Sequence, residues 1–170
     1  MPTIFCSAKL SKLIQLKKRL PSISMNNWNA HLFFLERRKC MVFVHKETLY
    51  SFAILDVLKR DFNHFQQLFI DNYLLQLDKD RLLTMAIRSA VSNEFQHFEL
   101  SITDGDKSSI GFLNNCVSRL TWPVNNKPTQ ISDTKKYLEN YYNSYPISNR
   151  LYKSGRESMF DFLKNYNTTF

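Results

Sequence analysis

The sequence predicts an α+β fold, in which a small, mainly antiparallel sheet is flanked by helices and followed by a helical C-terminal extension. Two segments rich in aromatic and β-branched residues, 28–35 and 40–45, flank a charged turn and indicate a hairpin. Both faces of this hairpin are apolar, so a sheet built on it needs a covering layer on each side. Segments of helical periodicity stand before and after the hairpin and supply those layers.

The chain begins with a predicted short strand at residues 3–6, followed by a helix from the N-cap Ser7 to about Leu16. The apolar residues of this helix lie on one side and its basic residues largely on the other, and Pro21 bars its continuation. In the hairpin, pairing Leu35 with Cys40 across the turn 36–39 separates two faces. One face then carries Trp28, Ala30, Leu32, Phe34, Met41, Phe43 and His45, and the other carries His31, Phe33, Leu35, Cys40, Val42 and Val44.

Further along, we expect a third strand at 48–54, helices at 56–77 and 79–95, and a half-buried strand at 98–102. A helix at 108–120 follows the turn Asp104-Gly105-Asp106. Pro123 and Pro128 mark residues 121–133 as a linker, and helices at 134–142 and 156–166 close the chain. The predicted organisation is a core domain at 1–120, the linker at 121–133, and a helical extension at 134–170 packed on the core.

The formal net charge of +8 over 170 residues is unevenly distributed along the chain. Residues 1–60 carry a net +8, residues 61–120 a net −3, and residues 121–170 a net +3. Such polarity steers an anionic partner, although a merely solvated face accounts for the same pattern. The candidate binding residues of this basic face lie on the first helix and at the hairpin tip, and they are Lys9, Lys12, Lys17, Lys18, Arg19, Arg37, Arg38 and Lys39.

The C-terminal part carries a second set of candidate contacts with nucleic acid. Its tyrosines are interleaved with basic residues, and they either stack on bases or dock the C-terminal helices onto the domain. These tyrosines are Tyr137, Tyr141, Tyr142, Tyr145 and Tyr152, among Lys135, Lys136, Arg150 and Lys153.

Residues 103–115 form the segment most typical of a functional site. A strand, a glycine turn and the start of a helix expose backbone N–H groups that bind anions. The candidate anion- or phosphate-binding residues here are Thr103, Lys107, Ser108, Asn114 and Asn115. The segment is neither a P-loop nor an EF-hand, because its glycines and lysine are in the wrong order and Asn115 stands where a bidentate glutamate is needed. The alternative is structural: Asp106 or Ser108 caps the helix, and Gly111 allows close packing against the sheet.

The spacing T-x-x-x-K-S-x-x-G-x-L-N-N in this segment resembles the signature of an uncharacterised family of bacterial and phage domains of unknown function. The resemblance includes the tryptophan-led hairpin and covers about residues 1–120. It implies a fold and a bacterial or mobile-element setting, and it implies no reaction. Family members carry an arginine and a final aspartate where this chain has Lys107 and Asn115.

We therefore expect a cytoplasmic binding module that engages nucleic acid or an acidic protein through the basic face, in a phage, plasmid or defence setting. One alternative is a small enzyme acting on a nucleotide or nucleic-acid phosphate around Lys107 and Ser108, and another is an assembly subunit of a protein complex. Three separated cysteines indicate a reducing compartment, and the histidines lack the spacing of metal ligands. We expect no metal, no cofactor, no secretion signal and no membrane segment.

Overall fold

The computed structural model describes residues 1–17, 24–122, 130–140, 143–148 and 151–166. Its strands are β1 (Thr3–Cys6), β2 (Trp28–Leu35), β3 (Arg38–His45), β4 (Ser51–Ile54) and β5 (Glu99–Ile102), and they form one sheet in the order β4-β3-β2-β1-β5. The helices are α1 (Ala8–Leu13), α2 (Phe65–Lys79), α3 (Met85–Glu94), α4 (Lys107–Thr121), α5 (Ile131–Asn140) and α6 (Gly155–Tyr166), and a 3-10 helix at Lys59–His64 precedes α2. The predicted α+β class, with its helical C-terminal extension, is confirmed.

The antiparallel ladders β2–β3 and β3–β4 make up most of the strand pairing, while β1 pairs in parallel with both β2 and β5. The hairpin register differs from the prediction by two residues, because Leu35 pairs with Arg38 rather than with Cys40. Only Glu36 and Arg37 form the turn, and both have the positive φ of a tight two-residue hairpin turn, 48° and 63°. Since side chains alternate with a period of two, this shift leaves the two predicted faces unchanged.

Each face of the sheet is buried under helices. On the first face, the Trp28 ring packs against Phe52, Phe69 and Tyr73, with ring centroids 5.5, 5.4 and 4.9 Å away. Helices α2 and α3 cover this face, and Met159 of α6 joins the same cluster. Phe34 is the exception among the predicted core residues of this face, because it is 52% exposed near the hairpin tip.

On the second face, β2 and β3 pack against α4 and α5. This cluster is formed by Phe33, Leu35, Cys40, Val42 and Val44 of the hairpin and by Leu113, Cys116, Leu120 and Leu138 of the two helices. The hairpin is therefore enclosed between two helical layers.

Several predicted elements end earlier or begin later in the structure, and a left-handed residue marks each of these boundaries. Helix α1 ends at Leu13 rather than near Leu16, and Gln15 follows with φ 56°. Leu49 (φ 58°) delays β4, Asp56 (φ 58°) precedes the 3-10 helix, and Arg81 (φ 57°) separates α2 from α3. Neither an α-helix nor a strand continues through this conformation, which non-glycine residues rarely adopt.

The predicted linker falls mostly on residues 123–129, outside the described ranges. Among the described helices, none combines the length and apolarity needed to cross a membrane.

Candidate functional site

Of the five described strands, β1, β2, β4 and β5 run in one direction and β3 runs in the opposite direction. The carboxyl ends of β1, β2, β4 and β5 therefore point to one edge of the sheet, which we call the carboxyl edge. The segments that follow these strands are the start of α1, the hairpin tip, the 3-10 helix and the start of α4. They carry Lys9, Lys12, Arg37, Arg38, Lys39, Lys59, Arg60 and Lys107, which we call the basic residues of the carboxyl edge.

Contacts between these segments bring much of the predicted basic face together. The Val57 N–H donates a hydrogen bond to the Lys39 carbonyl at 2.7 Å, and Arg38 pairs with Asp56 at 2.8 Å. The 3-10 helix in turn borders α1, because Lys59 and Arg60 share a groove of about 580 Å³ with the end of α1. Lys17 is exposed after α1, whereas Lys18 and Arg19 lie outside the described residues.

Four of the acidic groups at the carboxyl edge are engaged within the protein, whereas Glu36 in the hairpin turn is exposed beside Arg37. Asp56 binds Arg38, Asp61 accepts a hydrogen bond from the Leu58 N–H at 2.8 Å, and Asp104 and Asp106 both pair with Lys46. Lys9, Lys12 and Arg37 are exposed and Lys39 is half-buried, and within the described part of the chain none of the four forms an ion pair.

The charge of Lys9 also affects His31 of β2. His31 is half-buried there, and burial together with the positive charge of Lys9 lowers its pKa. The start of α1 thus contributes positive potential to the neighbouring hairpin.

At the start of α4, the protein's own carboxylate occupies the positive end of the helix. Asp106 is the N-cap: it accepts hydrogen bonds from the Ser108 N–H at 3.1 Å and from the Ser109 hydroxyl at 2.6 Å. The bond from Ser109 lowers the pKa of Asp106, with smaller contributions from the Ser108 N–H and Lys46. The predicted capping role of Asp106 is confirmed, and an added anion here would meet this carboxylate.

The five candidate anion-binding residues do not converge on one point. Thr103 accepts a hydrogen bond from the Gly105 N–H at 3.3 Å within the turn before α4. Lys107 and Asn114 are exposed on α4, while Ser108 and Asn115 line a groove on its outer side.

The prediction that Gly111 packs closely against the sheet is wrong. A Cβ atom added at Gly111 would meet no atom of the described residues within 4 Å. The buried side of α4 is instead formed by Ser109, Leu113, Cys116 and Leu120. The buried Asn29 of β2 donates a hydrogen bond to Ser109 at 2.7 Å, so Ser109 and its neighbours set the distance between α4 and the sheet.

The groove beside α4, which we call the α4 groove, has a volume of about 390 Å³. One wall is a stripe of α4, Ser108, Gly111, Asn115 and Arg119, and the other includes Asn143, Tyr145 and Ile147. The Arg119 guanidinium lies 5.3 Å from the Tyr145 ring centroid, and Tyr145 stacks on Tyr137 with centroids 6.4 Å apart. The helical spacing of Ser108, Asn115 and Arg119 is a sequence signal that extends the predicted site to Arg119, whereas the opposite wall has no such signal.

The opposite wall is attached to the edge strand β4 through Asn143. The Asn143 side chain accepts a hydrogen bond from the Ser51 N–H at 3.0 Å and donates one to the Ser51 carbonyl at 2.9 Å. It also donates to Asp80 at 2.9 Å, and the Tyr50 hydroxyl donates to the same carboxylate oxygen at 2.6 Å. Burial, followed by the charge of Asp80, raises the pKa of Tyr50. The buried amide pairs with β4 as a neighbouring strand would, and these hydrogen bonds fix the position of Asn143 in the wall.

Of the tyrosines predicted to stack on bases, Tyr137 and Tyr145 stack on each other, and Tyr152 is 74% exposed. Tyr141, Tyr142 and Arg150 lie outside the described residues. Cys6, Cys40 and Cys116 are buried free thiols. Within the part of the chain that the structure describes, no group of three or more histidine, cysteine or acidic side chains is placed to hold a metal ion.

Comparison with known families gives one match. The family model described as a domain of unknown function (DUF6933) matches residues 3–158, a range that reaches beyond residue 120 and includes the start of α6. No curated protein and no solved structure matches the chain.

Proposed function

The chain belongs to the DUF6933 family of domains of unknown function, and from this premise we propose that it is a module that binds single-stranded nucleic acid through its carboxyl edge. The observation that carries the proposal is an exposed aromatic ring among cations: Phe34 is 52% exposed and pairs across the hairpin with Lys39. Cations bind the phosphate backbone, and an exposed ring supplies a face on which an unstacked base rests.

The shape of the edge supports this proposal. Strand β1 ends at Cys6, which pairs with Ala30, while β2 continues to Leu35. At about 3.3 Å per residue, the hairpin projects roughly 17 Å beyond β1. A single strand of nucleic acid that crosses the start of α1 would therefore contact Lys9 there. It would then contact Phe34, Arg37 and Lys39 on the projecting hairpin.

The exposed Phe34 ring favours single-stranded nucleic acid as the partner over an acidic protein or a nucleic-acid duplex. An acidic protein needs only the cations, and a duplex keeps its bases stacked inside. A base on an aromatic ring contributes about 1–3 kcal/mol, whatever its sequence. The resemblance in residues 103–115 supports a bacterial or phage setting, and we place the module in the cytoplasm of such a system.

The enzyme alternative has less support from the geometry. Asp106 occupies the positive end of α4, and Asp104 stands beside it, so a phosphate placed there would meet two carboxylates. Lys46 forms ion pairs with both of them, so its positive charge is already compensated within the protein.

The proposal is tested by fluorescence anisotropy with a short labelled single strand, titrated at several salt concentrations. For Arg37→Glu/Lys39→Glu, we expect weaker binding and a log–log salt slope smaller by about 1.4, because two phosphate contacts are lost. For Phe34→Ala, the expected loss is about 5- to 150-fold with an unchanged slope, because the ring contributes stacking and no charge.

The matched control is Lys79→Glu/Arg81→Glu, which makes the same change in net charge at the opposite end of the sheet. These two residues flank Asp80, which contacts Asn143 beside Ser51 at the amino end of β4. The proposal is wrong if both double variants weaken binding equally, or if the wild-type protein binds no single strand at low salt.

A further inference from the structure

We propose that the α4 groove is a separate binding site for a nucleoside monophosphate, with Arg119 as the ligand of the phosphate and Ser108 and Asn115 as partners of the base. The site runs along the outer side of α4, beginning at Ser108 next to the carboxyl edge, and its lining does not include Phe34, Arg37 or Lys39. It has the size and the polar lining of a small-molecule site, and it contains a glycine against whose Cβ position no described residue packs.

Gly111 is the first observation behind this inference. Glycine in the middle of a helix is unfavourable, because it loses more conformational freedom on folding than alanine does. Gly111 lies well inside α4, has no positive φ, and has open space where its Cβ would be. Packing against the described residues therefore gives no reason for a glycine here. A bare backbone in the wall of a groove allows close approach by a flat ring.

Arg119 is the second observation. Its guanidinium lies 5.3 Å from the centroid of the Tyr145 ring, and Tyr145 in turn stacks on Tyr137. Among the described residues, no carboxylate forms an ion pair with Arg119, and no acidic side chain lines the groove. The two tyrosine rings hold the Arg119 guanidinium in place and leave its positive charge uncompensated. Such a prearranged arginine matches the oxygens of a phosphate monoester.

The dimensions and the polar groups select a ligand of mononucleotide size. A volume of about 390 Å³ falls in the lower part of the range for ligand pockets, roughly 300–1,000 Å³. From Ser108 to Arg119 the helix rises about 16 Å, which leaves room for a base, a ribose and one phosphate in line. The Asn115 amide offers a donor and an acceptor to the edge of a base, and Ser108 offers a hydroxyl. Asn143 fixes the facing wall to β4, so little ordering is needed when a ligand binds.

The test is isothermal titration calorimetry of the whole chain with AMP, GMP, CMP and UMP, with the four corresponding nucleosides, and with inorganic phosphate. We expect at least one monophosphate to bind more tightly than its nucleoside and than inorganic phosphate. For Arg119→Gln, we expect a loss of about 10- to 100-fold for that monophosphate and little change for its nucleoside.

Gly111→Leu tests the groove without disturbing the fold, because its side chain enters open space. We expect a loss of monophosphate binding with an unfolding temperature at or above that of the wild type. Ser89→Leu, on the exposed side of α3 and outside the groove lining, is the matched control and should bind as the wild type does.

The inference is overturned if no monophosphate binds, if inorganic phosphate or the nucleoside binds as tightly, or if Gly111→Leu binds unchanged. It is distinguishable from the proposed function, because Gly111→Leu should retain single-strand binding at the carboxyl edge. If that variant weakens both activities equally, the groove is part of the nucleic-acid surface and the separate site is wrong.

Discussion

Replacing Gly111 with alanine should stabilise the fold, whereas the same replacement at Gly155 should destabilise it. Both glycines lie in helices that line the α4 groove, so the pair isolates the effect of one methyl group. At Gly111 the methyl meets no atom of the part of the chain that the structure describes within 4 Å, and alanine removes the conformational cost of a glycine inside a helix. The expected gain is about 0.5–1 kcal/mol in the free energy of unfolding, or roughly 1–4 °C in Tm.

At Gly155 the methyl would lie 3.3 Å from each of three atoms: Asn143 Oδ1, the Leu49 carbonyl oxygen and Tyr50 Cα. Two of these atoms belong to the backbone beside β4 and cannot rotate away. The third belongs to the buried amide that pairs with Ser51. Relief of such a contact requires α6 to shift, which costs about 1–3 kcal/mol.

Urea unfolding followed by far-ultraviolet circular dichroism measures both free energies on the same scale. The reasoning is refuted if both variants shift the midpoint in the same direction. A loss of stability for Gly111→Ala would specifically show that the space beside Gly111 in the groove is filled in solution.

Three further predictions concern the supports of the site and the core. Asn143→Ala leaves the Ser51 N–H and carbonyl without their partner, and we expect the free energy of unfolding in urea to fall by about 2–4 kcal/mol; an unchanged value would contradict the anchoring of this wall. Asp106→Ala removes the cap of α4 and should cost about 1 kcal/mol near neutral pH. Because the folded protein lowers the pKa of Asp106, its contribution is present above the unfolded pKa of about 3.9 and is lost as pH falls through the folded pKa. The difference in the free energy of unfolding between wild type and Asp106→Ala should therefore narrow as the pH falls from about 6 to about 3. A difference that stays constant over this range would contradict the capping role of Asp106. Burial raises the pKa of Cys6 to about 12, so its thiol should resist DTNB in the native state near pH ~8 and react after denaturation; rapid native labelling of Cys6 would show that β1 opens.

Much of the fold was predictable because its strongest signals are local and periodic. The apolar alternation in the hairpin indicated two buried faces, and a register shift of two residues does not alter which side chains share a face. The turn was predicted too long because its charged residues include Arg38 and Lys39, which instead form the exposed end of β3. The boundaries at Gln15 and Arg81 were missed because a left-handed residue other than glycine leaves no mark in composition.

The candidate site was only partly predictable for a related reason. Ser108 and Asn115 were predicted as parts of the anion-binding segment 103–115, and the structure shows Arg119 on the same stripe of α4. Asn143 and Tyr145 come from a segment far along the chain, and their position depends on hydrogen bonds to β4. Likewise, the exposure of Phe34 depends on how far the hairpin projects beyond its neighbouring strands.

By itself, the sequence determined the α+β class, the two-sided burial of the hairpin and the surplus of positive charge in the first 60 residues. These properties follow from composition and from periods of two and 3.6 residues, which act over short stretches of chain. The tertiary structure alone decided that α1, the hairpin tip and the 3-10 helix meet at one edge, because that depends on the parallel pairing of β1 with β2 and on the shared direction of β4. It also decided that α4 turns Gly111 and Arg119 toward a groove, because the opposite wall is placed by contacts between residues distant in sequence.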